Sequence, residues 1–302
     1  MRILYRGPLA SCNYDCPYCP FAKRRDPPER LRADRAALLR FVAWVRDESA
    51  AVARAPVEVL FTPWGEGLTR SWYRDALVEL SRMPHVGRAA IQTNLSARLG
   101  WVAAADPAKL ALWCTYHPGQ TSIERFLWAC ATLHRHGIRH SVGIVGLPEH
   151  LGDAIALRTR LPPEVYLWVN AADGHAYTAA EEAAWTAIDP LFGYSVRPHE
   201  SLGRDCRTGD DVVSVLGDGT VRRCHFVPEP LGNLYDGSWT ASRGARPCPN
   251  VSCDCHIGYV HLRTLPLYDV FAGGVLERIP HERPLWSIPA AALAATAAGP
   301  GR

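Results

Sequence analysis

Short runs of β-forming residues alternate with longer amphipathic runs from the start of the chain to about residue 190. The short runs predict six strands, over residues 2–5, 57–62, 89–93, 110–115, 140–145 and 165–170. The amphipathic runs between them predict helices near residues 34–53, 70–82, 121–136 and 150–160. Repeated strand–helix alternation indicates an α/β fold with a parallel sheet, and the pattern alone leaves a doubly wound sheet and a partial barrel equally open.

The helix predicted near residues 34–53 has the clearest pattern. Leu38, Phe41 and Val45 recur at helical spacing and give one buried stripe. Asp34 precedes them, and an aspartate in this place is typical of a helix N-cap. We therefore expect the helix to begin at Asp34 and to pack on the sheet through its apolar stripe.

The composition is that of a soluble globular protein, with 48% hydrophobic and 21% charged residues. A net charge of +3 is too small to indicate a nucleic-acid or membrane partner. The N-terminus lacks the pattern of a signal peptide, and no run approaches the roughly 20 apolar residues of a membrane span. These features predict a cytoplasmic protein with one large domain and a smaller appendage.

Ten cysteines are distributed unevenly along the chain. Three lie between residues 12 and 19, two are isolated at Cys114 and Cys130, and five lie between residues 206 and 255. Structural disulfides are rare in a reducing compartment, so clustered cysteines there more often mark metal or catalytic sites. The distribution predicts two metal sites, whereas Cys114 and Cys130 are expected to be buried packing residues.

The first cysteine group, Cys12, Cys16 and Cys19, has a C-x3-C-x2-C spacing and follows the first predicted strand. A structural zinc site normally takes four ligands, and no fourth cysteine lies nearby in sequence. Three thiolates on one loop suit a 4Fe–4S cluster with one iron left open, and an open iron can chelate a substrate. An incomplete zinc knuckle is the alternative interpretation of the same residues.

This spacing, with the aromatic Tyr18 just before the third cysteine, resembles the signature of the radical S-adenosylmethionine (AdoMet) superfamily. The resemblance implies that Cys12, Cys16 and Cys19 ligate the cluster and that its open iron holds the amino and carboxylate groups of AdoMet. It also implies that Tyr18 packs near the adenine. The fold that it implies is a partial (β/α)6 barrel, a TIM-like arrangement with the active site at the carboxyl ends of the strands.

Two further strand ends resemble AdoMet-binding elements of that superfamily. After the second strand, Gly65 and Glu66 match its Gly-Gly-Glu element, although Trp64 replaces the first glycine. The third strand ends in Thr93 and Asn94, which the resemblance places near the ribose or carboxylate of AdoMet. The alternatives are a surface turn for the Gly-Glu pair and a turn cap for Asn94.

The later strands continue the resemblance. Residues 142–149 are similar to the G-x-I-x-G-x-x-E adenine element, so Ile144 is expected to pack on the adenine and Gly146 to let the backbone approach it. Asn170, at the end of the sixth strand, is expected to contact the adenine or ribose. His117, after the fourth strand, is a candidate catalytic proton carrier or substrate contact, or else a turn histidine bonded to the backbone.

The second cysteine group surrounds a β-hairpin that turn chemistry predicts over residues 212–223. The group resembles the twitch domain, a short form of the SPASM domain, in which four cysteines hold an additional 4Fe–4S cluster. The resemblance assigns Cys206 and Cys224, and it leaves open which two of three later cysteines complete the set. A zinc site is the alternative, with four cysteines or with three and either His225 or His256. The three later cysteines are Cys248, Cys253 and Cys255.

The predicted organisation is therefore a radical SAM barrel over 1–175, a linker helix region over 176–205 and a twitch-like domain over 206–262. A docking helix and frayed tail follow over 263–302. Basic residues after the first cysteine group suit docking of an acidic flavodoxin or ferredoxin reductant, or simply form a solvated surface. They are Lys23, Arg24, Arg25, Arg30, Arg32 and Arg35.

The resemblance implies an enzyme that reductively cleaves AdoMet to a 5′-deoxyadenosyl radical, which abstracts hydrogen from a substrate. The substrate is expected to be a small molecule or a peptide or protein side chain, and the net reaction an oxidation or rearrangement. The alternative from a different class is a non-catalytic iron–sulfur or zinc protein that acts as an electron carrier or interaction module.

Overall fold

A computed structural model describes residues 1–21, 24–53 and 56–282. Within them the main sheet begins at one edge with β10 (Pro230–Asn233), β9 (Thr220–Arg222) and β8 (Val212–Leu216) and continues through β1, β2, β3, β4 and β5 to β6. Strands β1 to β6 are parallel to their neighbours, as predicted. Their bounds are β1 Arg2–Arg6, β2 Val57–Phe61, β3 Val86–Thr93, β4 Leu110–Thr115, β5 Arg139–Val145 and β6 Leu167–Asn170. The α/β class and the partial (β/α)6 barrel are confirmed.

Helices connect the parallel strands and continue through the C-terminal part. They are α1 Pro28–Asp47, α2 Ser49–Val52, α3 Ser71–Arg82, α4 Ile123–Arg135, α5 Leu151–Arg160, α6 Ala179–Ile188, α7 Gly193–Val196, α8 His256–Tyr259 and α9 Leu267–Phe271. Short 3-10 turns lie at several of the strand–helix junctions, for example over Gly67–Thr69.

The prediction that Asp34 caps the first helix is wrong. Helix α1 begins two turns earlier, at Pro28, where proline is favoured because its fixed φ suits the first turn. Asp34 is fully buried within the helix. Its carboxylate accepts hydrogen bonds from Leu9 N (3.0 Å), Trp72 Nε1 (2.7 Å) and Tyr73 Oη (3.2 Å). The buried carboxylate therefore joins α1 to the loop after β1 and to α3.

Each face of the parallel strands is covered, as expected for a parallel sheet. The outer face packs against the helices, and the inner face packs against the C-terminal segment that contains α8 and α9. Outward side chains include Ile3, Val59, Ile91, Leu112, Ile144 and Val169. Inward side chains include Leu4, Leu60, Trp113 and Trp168, which pack with Ile257, Tyr259, Leu262, Phe271 and Leu276. The C-terminal segment thus fills the inside of the barrel.

The predicted hairpin is present as β8 (Val212–Leu216) and β9 (Thr220–Arg222). Strand β8 pairs in parallel with β1, so the hairpin extends the main sheet, and β10 (Pro230–Asn233) follows it. A separate two-stranded sheet pairs β7 (His199–Glu200) with β11 (Ser252–Cys253). The domain boundaries stay predictions.

In the part of the chain that is described, no helix has the length and apolarity needed to cross a membrane. The short docking helix predicted after residue 263 corresponds to α9. The predicted frayed tail over 287–302 lies outside the described residues.

Candidate active site

Two buried carboxylates hold the peptide that leads into the first cysteine group. Asp34 accepts a hydrogen bond from Leu9 N, and Asp26 Oδ2 accepts from Ala10 N (2.7 Å) and Ser11 N (2.8 Å). Three consecutive backbone N–H groups are therefore bonded to carboxylates, interactions about twice as strong as neutral ones. Sequence reasoning missed both roles.

The end of β2 contacts the same peptide. Glu66 N donates to Ser11 O (3.1 Å), and a Cβ added to Gly65 would lie 1.9 Å from that oxygen. Only glycine lets the two backbones approach so closely. The Gly-Glu pair identified in the sequence thus lies directly against the first cysteine group.

The Glu66 carboxylate joins the ends of β2 and β3. Its Oε1 accepts from Leu68 N (2.9 Å) and Thr93 Oγ1 (2.8 Å), and its Oε2 accepts from Asn94 N (2.6 Å). Glu66 is 3% exposed, and burial raises the pKa of its carboxyl group. Three of the four AdoMet-site residues predicted at these two strand ends, Glu66, Thr93 and Asn94, are therefore joined in one hydrogen-bonded unit.

Cys12 is held by this unit and by its own loop. Its sulfur accepts from Tyr14 N (3.4 Å) and lies 3.6 Å from Asn94 Nδ2. Asn94 Nδ2 also donates to Asn13 Oδ1 (3.1 Å). N–H groups directed at cysteine sulfur are among the features that tune iron–sulfur clusters.

The other two cysteines of the loop lie around a tight turn, in which Cys19 N donates to Cys16 O (3.1 Å). Tyr18, between them, places its hydroxyl 3.0 Å from His117 Nδ1 and packs edge-on against His150. Burial, followed by the charge of His150, lowers the pKa of His117 to about 4. His117 is thus neutral at physiological pH and is joined to the cysteine loop through Tyr18.

At the far side of the barrel, β5 and β6 bring Gly146 and Asn170 together. Gly146 N donates to Asn170 O (2.7 Å), and a Cβ on Gly146 would lie 3.0 Å from Val169 Cγ1. Asn170 Oδ1 accepts from Arg278 Nη1 (2.6 Å), an arginine that sequence reasoning did not identify. Ile144 is fully buried in the outer layer, between the sheet and the helices.

All five cysteines of the second group come together beside the hairpin. Cys206 and Cys224 flank it, Cys253 lies in β11, and Cys255 precedes α8. Burial, followed by the charges of Cys206, Cys248 and Cys255, raises the pKa of Cys224 to about 12. Cys253 interacts electrostatically with each of the other four thiols. The second site stays a prediction, and so does the choice among the last three cysteines.

Arg6, at the end of β1, lies close enough to the second cysteine group to interact electrostatically with Cys224 and Cys255. Its guanidinium carbon is 4.0 Å from the centre of the Trp64 ring, and its Nε donates to Thr62 O (2.8 Å). Thr62 Oγ1 lies 3.2 Å from the Nε2 atom of His225, which follows Cys224 in sequence. Burial lowers the pKa of Arg6 to about 10, so the group stays charged. Trp64, the departure from the glycine pattern, therefore stacks on a partly buried cation.

The donor sets fit the iron–sulfur clusters predicted from the sequence. No disulfide joins any of the ten cysteines, all of which lie in the described part of the chain, and thiolates are the usual ligands of 4Fe–4S clusters. Cys12, Cys16 and Cys19 could hold one cluster, and four of the five later cysteines could hold another. Among the described residues, no group of three or more His, Cys, Asp or Glu side chains is arranged to hold a single metal ion.

No protein-family model matches this chain, and no curated protein does so. Among solved structures it is similar to anSMEcpe, an anaerobic sulfatase-maturating enzyme, with bound AdoMet. The identity is 13%, the match covers 78% of this chain and 75% of that one, and the TM-score is 0.50. The structure of anSMEcpe with AdoMet and the Cp18Cys peptide gives 17% identity, 78% coverage of each chain and the same TM-score. The chain therefore shares its fold with a protein whose solved structures contain AdoMet.

Proposed function

We propose that this chain is a radical SAM enzyme. The observation that carries the proposal is the contact of the Cys12/Cys16/Cys19 loop with the ends of β2 and β3 through Gly65, Glu66 and Asn94. When bound, the cluster and AdoMet supply a 5′-deoxyadenosyl radical, which abstracts hydrogen from an unactivated carbon of the substrate. The fold shared with AdoMet-bound anSMEcpe supports the same conclusion.

The side chains of the chain have separate roles in this proposal. Cys12, Cys16 and Cys19 would hold the cluster, and their loop is fixed by the carboxylates described above. The Asn94 side-chain amide and Glu66 would position the amino acid end of AdoMet, and Asn170 its nucleoside. Desolvation keeps His117 neutral, so its ring can hydrogen-bond with Tyr18 and contact a substrate. The substrate would be a small molecule or a peptide or protein side chain.

Anaerobic reconstitution with iron and sulfide, followed by dithionite and AdoMet, is expected to yield 5′-deoxyadenosine. The product should require the protein, the cluster and the reductant together, and chromatography with mass detection measures it. If the cluster is intact but no 5′-deoxyadenosine forms above background, the proposed enzymatic activity is contradicted and a non-catalytic electron carrier is favoured.

The second cysteine group is proposed to hold another 4Fe–4S cluster, which would let the net reaction be an oxidation of the substrate. Metal analysis of the reconstituted protein should then give about eight iron atoms per chain, four for each cluster. About four iron atoms with one zinc would contradict this assignment and favour the zinc site.

An exposed aromatic pair beside the cysteine loop is the proposed docking surface for an acidic protein reductant. Phe21 is 54% exposed, and its ring lies 4.9 Å from that of Trp64, which is 39% exposed. Arg24 and Arg30 line the same cavity of about 480 Å³, and Arg24 and Arg25 line its neighbour of about 750 Å³. Basic side chains around an apolar centre are complementary to the acidic surface of a flavodoxin or ferredoxin. Lys23 lies outside the described residues.

Charge reversal at Arg24 and Arg25 together (R24E/R25E) is expected to slow reduction of the cluster by flavodoxin roughly tenfold at low salt. The difference should shrink as salt screens the charges. Stopped-flow absorbance measures the rate, and reduction by dithionite, which needs no docking surface, should change little. The matched control reverses Arg82 and Arg135, exposed residues at the far ends of α3 and α4. Equal flavodoxin rates for both double variants would contradict the docking surface.

A further inference from the structure

The last described turns of the chain are anchored inside the barrel. Glu277 is fully buried, and its Oε1 accepts from Arg139 Nη2 (3.0 Å) and lies 3.3 Å from Arg88 Nε. Its backbone oxygen accepts from Ser141 Oγ (2.7 Å). Two arginines and a serine from β3 and β5 therefore fix the residue that precedes Arg278.

Arg278 projects from this anchor between two indole rings. Its guanidinium carbon lies 4.7 Å from the centre of the Trp168 ring and 5.7 Å from that of Trp113. Arg278 is 1% exposed, and its Nε has no hydrogen-bond partner among the described residues. A buried charge with an unsatisfied donor lowers the stability of the fold, which suggests that this arginine serves a function.

The backbone of Arg278 is also unusual, with φ at +55°. A residue with a side chain rarely adopts this left-handed conformation, and such residues collect at sites where the surroundings impose a function. The guanidinium of Arg278 reaches Asn170, whose Oδ1 accepts from Nη1 at 2.6 Å. Asp189, also fully buried, interacts with Arg278 electrostatically and accepts from Val169 N (2.8 Å), next to Asn170.

The Asn170 contact has a chemical consequence. An asparagine amide has an acceptor oxygen and a donor nitrogen that are easily exchanged by rotation. Because Arg278 can only donate, it holds the oxygen toward the barrel interior. The Nδ2 group is then left as the donor that Asn170 presents at the end of β6. A donor in this place suits the acceptor nitrogens of adenine or the oxygens of a ribose.

We propose that Arg278 is a positioning residue that fixes the Asn170 amide so that its nitrogen donates to the nucleoside of AdoMet. The inference rests on the proposed function and deepens it. It assigns the inner C-terminal segment a part in cofactor affinity, beyond filling the barrel. Arg278 acts through Asn170 and needs no contact with AdoMet.

The test is AdoMet affinity, measured by equilibrium dialysis on the reconstituted protein without reductant, so that no turnover occurs. R278Q is expected to weaken binding roughly tenfold, as for loss of one charge-assisted hydrogen bond. R278K keeps a charged donor and should recover part of the affinity. N170A should weaken binding by a similar factor, and R278Q should add little in the N170A background, because both changes remove the same interaction.

Arg158 provides the matched control. It is a buried arginine of α5 whose guanidinium donates to backbone oxygens of Val165, Leu161 and Pro162. R158Q should lower the melting temperature and leave AdoMet affinity unchanged. If R278Q does not fold, R278K and N170A still carry the comparison.

Unchanged affinity in R278Q, or full additivity with N170A, would overturn the proposal. Failure of the unsubstituted protein to bind AdoMet would overturn the proposed function on which it rests, which is a separate result.

Discussion

Replacement of Cys16 by alanine is expected to abolish formation of 5′-deoxyadenosine. Cys16 is 5% exposed and lies in the turn that also orients Cys19, so its loss would remove one proposed cluster ligand and disturb the position of another. Loss of a residue that only hydrogen-bonds to a metal ligand typically costs 10–100-fold in metal affinity. Loss of a ligand should therefore lower the product more than about a hundredfold, to background. Chromatography measures the product, and iron analysis should show the matching loss of cluster.

The matched controls are the two isolated cysteines. Cys114 and Cys130 are buried in the outer layer and belong to neither cysteine group. C114A and C130A each remove one buried sulfur and should cost about 1 kcal/mol of stability, with the product retained. Product formation by C16A at the level of C114A would show that the loop does not hold the cluster.

Gly65 is expected to give the second large effect. An alanine Cβ at this position would lie 1.9 Å from Ser11 O and 2.9 Å from the Ala10 carbonyl carbon, both backbone atoms. Neither atom can move without displacing the loop that Asp26 and Asp34 hold. G65A should therefore lower cluster content and product by more than about tenfold, and overpacking should cost about 1–3 kcal/mol of stability.

Gly152 offers the comparison for this substitution. It is exposed in α5, and outside its chain neighbours and its own helix backbone nothing lies within 4 Å of the Cβ that alanine would add. G152A should raise the melting temperature slightly, because alanine is favoured over glycine in a helix by up to about 1 kcal/mol. Calorimetry and iron analysis of both variants provide the measurement. Wild-type iron content in G65A would contradict the close packing of β2 on the cysteine loop.

The alternation of strands and helices predicted the parallel strands because each strand end carries its own local signal. The predicted boundaries of β1, β2 and β4 agree with the observed ones within a few residues. The predicted hairpin corresponds to β8 and β9. These features depend on residues that are neighbours in sequence. The pairing of β8 with β1 joins residues more than 200 positions apart, and local pattern carries no information about it.

The buried charged residues also could not be assigned from local sequence alone, because their partners are distant in the chain. Asp34 resembled a helix cap because aspartate is common there, yet its register with Leu38, Phe41 and Val45 places it on the buried stripe. A carboxylate in register with an apolar stripe was the signal for a buried anchor. Arg278 offered no such signal, because its partner Asn170 lies 108 positions away.

The central claim is that the cluster held by Cys12, Cys16 and Cys19 keeps one iron open for AdoMet. Electron–nuclear double resonance on the reduced protein tests it, with magnetic isotopes in the amino and carboxylate groups of AdoMet. The account predicts hyperfine coupling of both labels to the cluster. AdoMet that is bound, as shown by dialysis, but uncoupled to the cluster would contradict it.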